Sequence, residues 1–172
     1  MRSGLAASVL AELGRRGETL ASAESLTGGM VGQLLTDVSG ASVSYLGGVI
    51  SYATRLKTTL AGVDSTTLAA LGPVAERTAA EMARGVAKRC NADWGLATTG
   101  VAGPDAQAGH PVGQVFVAVS HQADGVMRVK ELSLHGERAA IRQQAALAVL
   151  TLLADALGLN GSSLCADDAS KT

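Results

Sequence analysis

Ser25 stands in the run Ala23-Glu24-Ser25-Leu26-Thr27-Gly28-Gly29, between a short apolar stretch and a segment with helical spacing. A sharp strand-to-helix turn there exposes the Ser25 hydroxyl, while glycine amides and the helix N-terminus offer donors for an oxyanion or a phosphate. The competing reading is that Ser25 or Thr27 only caps the helix. Lys57 follows Tyr52 at the end of a second apolar stretch. A lysine desolvated in a pocket loses basicity and can then take the proton of a serine, whereas on a solvated helix face it does neither. Tyr52 is either part of such a site or a rim residue of the core. The third segment, Thr99-Gly100-Val101-Ala102-Gly103-Pro104, presents amides able to cradle a phosphate, or forms an ordinary turn. Arg138 and Arg142, one helical turn apart, either meet an anion or lie on the surface.

Several motif classes are excluded by position. Gly28 stands three residues after Ser25 and Leu56 four after Tyr52, so neither S-x-x-K nor Y-x-x-x-K is present. The third segment fits neither G-x-G-x-x-G nor the P-loop pattern. Cys90 and Cys165 form no Cys-x-x-Cys pair, and His110, His121 and His135 lack ligand spacing, so neither metal nor cofactor is expected. Lysine and arginine number 14 against 15 acidic residues, which denies duplex nucleic acid its positive field. Tyr45, Tyr52, Trp94 and Phe116 are too few for base-stacking platforms.

The elements that must position these residues are read from periodicity. Leu5, Val9, Leu10 and Leu13 mark a first helix stopping near Gly14 or Gly17, and Thr19 to Glu24 reads as a strand leading into a helix from Thr27. Ser44 to Ala53 is β-branched and aromatic, with Gly47-Gly48 predicting a bulge or a close backbone approach. Thr54 is a candidate cap for the next element. Asp64 caps a short helix ending at Gly72-Pro73, and Val74 to Arg89 forms a longer one. Trp94 to Thr99, Gln114 to Ser120 and Val126 to Leu134 are strands, and Glu137 to Leu157 is the closing helix.

With 172 residues, 47% hydrophobic and 17% charged, this pattern predicts one α/β domain over 1–158: a three-layer α/β/α sandwich around a mixed sheet. Residues 159–172 are expected to be a disordered tail. No run approaches the roughly 18 apolar residues of a membrane span, and the cysteine usage favours the cytoplasm. In open α/β sheets ligands sit beyond the carboxyl ends of strands, which singles out Ser25 to Gly29, Tyr52 to Lys57 and Thr99 to Asp105.

Taken in order, the Ser25 run, Tyr52 with Lys57, Thr99-Gly100-Val101-Ala102-Gly103-Pro104 and Pro111-Val112-Gly113 resemble the CinA C-terminal domain family. The resemblance covers about Leu5 to Leu157. It implies a nicotinamide-nucleotide amidohydrolase that converts nicotinamide mononucleotide into nicotinate mononucleotide and ammonia, hence a role in pyridine-nucleotide salvage. It also implies that Ser25 is the nucleophile, Lys57 its general base and Tyr52 a supporting hydroxyl. Thr99 and Gly100 would line the amide pocket. Thr27 with the Gly28 and Gly29 amides would hold the oxyanion or phosphate, and Arg138 or Arg142 would pair with phosphate. Four positions depart from the pattern: Leu26 where Cys is frequent, Thr98-Thr99 where Val-Ser or Ile-Ser is common, and Asp105 where Gly is frequent. These bear on substrate preference rather than reaction class. A homo-oligomer is expected, with a small nucleotide as partner and neither nucleic acid nor membrane. The alternative from another class is a non-catalytic nucleotide-binding or regulatory module linked to competence or DNA-damage responses.

Overall fold

The computed structural model describes residues 2–159; Cys165 and almost all of the expected tail lie outside them. Five strands form one sheet in the order β2-β1-β3-β4-β5. Strands β1 (Leu20–Glu24), β2 (Tyr45–Ile50) and β3 (Trp94–Gly100) run parallel, while β4 (Gln114–His121) and β5 (Met127–Ser133) continue the sheet antiparallel. The sheet is therefore mixed, and its parallel part is where helical crossovers are required.

Alternation along each strand divides the core into two layers. Leu20, Trp94, Leu96, Val115, Val117 and Val119 point to the face covered by helices α1 (Arg2–Arg16), α2 (Met30–Thr36) and α6 (Arg138–Ala156). Ala21, Ala23, Ala97, Phe116 and Ala118 point to the other, packed by Met82, Ala83 and Val86 of α5 (Glu76–Cys90). Small side chains dominate this second layer because α5 lies very close to β3. A Cβ added at Gly95 would collide with the Ala83 carbonyl. Short helices α3 (Thr54–Thr59) and α4 (Ser65–Leu71) complete that side. The expected three-layer α/β/α arrangement is the observed one.

Local differences have identifiable causes. The pairing of β1 with β2 shifts register between Leu20 and Ala21, leaving Leu46 as the extra residue, and a Cβ at Gly48 would meet the Ser22 carbonyl. The Gly47-Gly48 pair thus accompanies both a bulge and a close approach. The long helix expected from Val74 begins at Glu76, because Ala75 is extended and forms its cap position. Ala53 rather than Thr54 is the cap position of α3, and it makes no side-chain cap bond. Asp64 caps α4 as expected, its carboxylate accepting from the Thr66 amide. No helix among the described residues is long and apolar enough to cross a membrane.

Candidate active site

The three segments singled out in the sequence converge at the carboxyl ends of β1, β2 and β3. The Ser25 amide donates to Thr98 O at 3.0 Å, carrying the β1–β3 pairing one residue past the strand. On the other side the Ser51 amide donates to Glu24 O at 2.8 Å, which extends β2 in the same way. These two bonds hold Ser25 and Ser51 side by side at the top of the sheet. Helix α3 then returns over the strand ends and points Lys57 inward, leaving it only 1% exposed.

Lys57 Nζ reaches Ser25 Oγ at 2.8 Å and Ser51 O at 2.9 Å. Among the described residues no carboxylate pairs with its charge, and burial alone pushes its pKa down to about 8. The sequence left open whether Lys57 is a solvated helix residue; it is not. A neutral amine here donates to the Ser51 carbonyl and presents its lone pair to the Ser25 hydroxyl.

Glu24 is a residue that the sequence reading overlooked. It is 3% exposed, and its carboxylate accepts the amides of Gly29, Val31 and Gly32 at 2.9, 3.1 and 2.9 Å. Glu24 therefore satisfies the start of α2, whose cap position is Gly29 in the left-handed region, with no side-chain cap bond from Ser25 or Thr27. The capping reading of Ser25 fails for this reason, and its hydroxyl is left to Lys57. Glu24→Gln should destabilise the fold by about 2–3 kcal/mol, because an amide cannot accept all three bonds and carries no charge for the helix start. Denaturant unfolding measures this, and an unchanged midpoint would mean that the three amides find other acceptors.

A cleft opens above Ser25 and Lys57, lined among others by Leu26, Tyr52, Thr99, Gly100, Asp105 and Arg138. Tyr52 is 60% exposed on its rim, and its hydroxyl accepts from Arg138 Nη2 at 3.0 Å. Arg138 Nη1 donates to Gly103 O, so the arginine ties the β3–β4 loop to the end of β2. Thr99 borders the cleft, but its hydroxyl donates to Pro73 O at 2.6 Å.

Four expected ligands lie elsewhere. Thr27 is fully buried and its hydroxyl pairs with Thr98 Oγ1 at 2.7 Å, away from the cleft. The Gly28 amide donates to Ser25 O at 3.1 Å and the Gly29 amide to Glu24, so neither is free for an oxyanion or a phosphate. Arg142 donates to Leu26 O at 2.8 Å and Thr27 O at 2.9 Å. It braces the turn after Ser25 and does not line the cleft. Among the described residues the Leu26 amide has no protein acceptor, and Leu26 borders the cleft. The residue after a nucleophile is a common source of an oxyanion-hole amide, which was the available signal for this donor.

The CinA C-terminal domain model matches residues 2–157. The chain belongs to the CinA C-terminal domain family. A CinA-like protein of Frankia casuarinae is 48% identical over 145 residues, covering 84% of this chain and 33% of that protein. A putative competence-damage inducible protein of Bacillus subtilis is 44% identical over 131 residues, 76% of this chain and 31% of its own length. The chain thus spans about a third of the curated relatives it matches. Solved CinA-superfamily structures match more evenly. One from Klebsiella pneumoniae superposes with a TM-score of 0.87 at 28% identity, covering 92% of this chain and 99% of that one. The competence/damage inducible protein CihA of Agrobacterium tumefaciens gives 0.86 at 31% identity, covering 91% and 95%. The fold described above is that of the CinA superfamily.

Proposed function

We propose that this CinA-family domain is an amidohydrolase that cleaves the carboxamide of nicotinamide mononucleotide, releasing ammonia and nicotinate mononucleotide. The observation that carries the reading is the 2.8 Å contact between Ser25 Oγ and a buried Lys57 Nζ whose basicity is lowered. Neutral Lys57 takes the Ser25 proton as Oγ forms a bond to the carboxamide carbon, and the carbonyl oxygen becomes an oxyanion. The Leu26 amide is the donor best placed for that charge, replacing Gly28 and Gly29 in this role. Lys57 then passes the proton to the leaving nitrogen as the C–N bond breaks and ammonia departs. Water, deprotonated by the same amine, cleaves the Ser25 ester and regenerates the hydroxyl. No step calls for a metal.

The test is ammonia release from nicotinamide mononucleotide by the purified protein with EDTA present. Release supports the reading. Binding of the nucleotide without release points to a nucleotide-binding module and overturns it.

Arg138 is the cleft's exposed cation and the residue suited to the substrate phosphate. Arg138→Ala should raise KM for the mononucleotide on the order of tenfold and leave the unphosphorylated riboside nearly unaffected. Equal losses on both would instead limit Arg138 to its bonds with Gly103 and Tyr52.

A further inference from the structure

The charged side chains lining the cleft are Lys57, Arg138 and Asp105. Two are basic and one is acidic. Arg138 is already engaged by Gly103 O and the Tyr52 hydroxyl. Asp105, on the loop 101–113 between β3 and β4, forms no ion pair among the described residues. Glu24, the acid next to Ser25 in the chain, is buried and committed to three amides of α2. Asp105 is therefore the carboxylate available to a ligand in a cleft whose other fixed charge, Arg138, repels cations.

We infer that Asp105 makes this cleft selective for carboxamides borne on a cationic, N-substituted pyridinium ring over the same carboxamide on an uncharged ring. The inference rests on the amidohydrolase reading and goes further by naming what separates good substrates from poor ones. In a pyridine-3-carboxamide the ring nitrogen is two bonds from the carbon that bears the carboxamide. When the carboxamide carbon sits at Ser25 Oγ, the ring charge is still inside the cleft. There Arg138 is a like charge and Asp105 the counter-charge, while Lys57 is neutral when it acts as the base. Asp105 is exposed at the rim of the cleft, so the pairing is modest and screened by salt. An uncharged ring of the same shape gains nothing from the carboxylate.

Oxidised and reduced nicotinamide mononucleotide test this, since they share ribose and phosphate and differ in ring charge and one ring hydride, whose effect on carboxamide reactivity cancels when the variant's ratio is compared with wild type. The ratio of kcat/KM for the oxidised over the reduced form should fall about threefold to fivefold in Asp105→Asn. Raising the salt concentration should narrow the wild-type preference, because the carboxylate lies near the open rim. An unchanged ratio overturns the inference. So does an equal loss on both nucleotides, which would assign Asp105 to the ribose hydroxyls. Equilibrium binding of both nucleotides to Ser25→Ala separates this failure from failure of the amidohydrolase reading. Preferential binding of the oxidised form by a protein whose wild type shows no turnover keeps the charge selectivity and removes the enzyme. Binding of neither removes both.

Discussion

Ser25→Ala should eliminate ammonia release from nicotinamide mononucleotide, a loss of at least 10³-fold and up to about 10⁶-fold, while the nucleotide still binds. The size follows from what the hydroxyl does. Without Oγ no acyl-enzyme forms, and Lys57 and the Leu26 amide are left with only a water to activate and a charge to stabilise. The fold should survive, because the backbone bonds of Ser25 to Thr98 and Gly28 do not involve the side chain. Calorimetric titration of the variant with nicotinamide mononucleotide, beside an ammonia assay, checks both halves. Residual turnover within tenfold of wild type would mean that water attacks the carboxamide directly and that Ser25 only shapes the pocket.

Lys57→Met should be nearly as inactive, since it removes the base and keeps the volume. It also exposes the cost of burying the base. With the Lys57 pKa lowered to about 8, wild-type kcat/KM should rise about tenfold per pH unit below 8 and level off above it. Stability runs in the same direction. The folded pKa is depressed below the ordinary lysine value of 10.5, so between about 8 and 10.5 the unfolded chain binds a proton that the folded chain does not. Folding stability contributed by this group therefore rises with pH across that window, by a little over 1 kcal/mol per unit and about 3 kcal/mol in all, and the penalty is fully present below pH 8. Lys57→Met should lack this rise. Denaturant unfolding of both proteins at pH 7, 8.5 and 10 reads the difference in slope. Parallel curves would mean that Lys57 titrates near its ordinary value and is too protonated at neutral pH to serve as the base.

These two residues also show how far a sequence reaches. Periodicity was enough for α1, α2, α4, α5 and α6, the five strands and the three-layer arrangement, though not for the short α3, because each longer element must bury an apolar face and that requirement is written at short range. It was enough, too, to place Ser25, Tyr52, Lys57 and Thr99 at strand ends on one side of the sheet. Hydrogen-bond partners were not legible in that way. The Gly28 and Gly29 amides looked available for a ligand, but Ser25 O takes the first and Glu24 the second. The spacing of Arg142 with Arg138 allowed either an anion contact or a surface position, and its guanidinium reaches carbonyls more than a hundred residues away in the chain. Both outcomes depend on where a backbone turn and a long side chain point once distant elements have packed.

The same is true of the chemistry at Lys57. A lysine six residues after Ser51 acquires its lowered basicity only when α3 folds back over the ends of β1 and β2 and excludes water. What the sequence by itself determined was the set of groups and the edge of the sheet on which they stand. Tertiary structure decided which groups are free, which are tied down and which lose their charge, because hydrogen-bond satisfaction and desolvation are properties of the assembled surroundings, set by residues far apart in the chain.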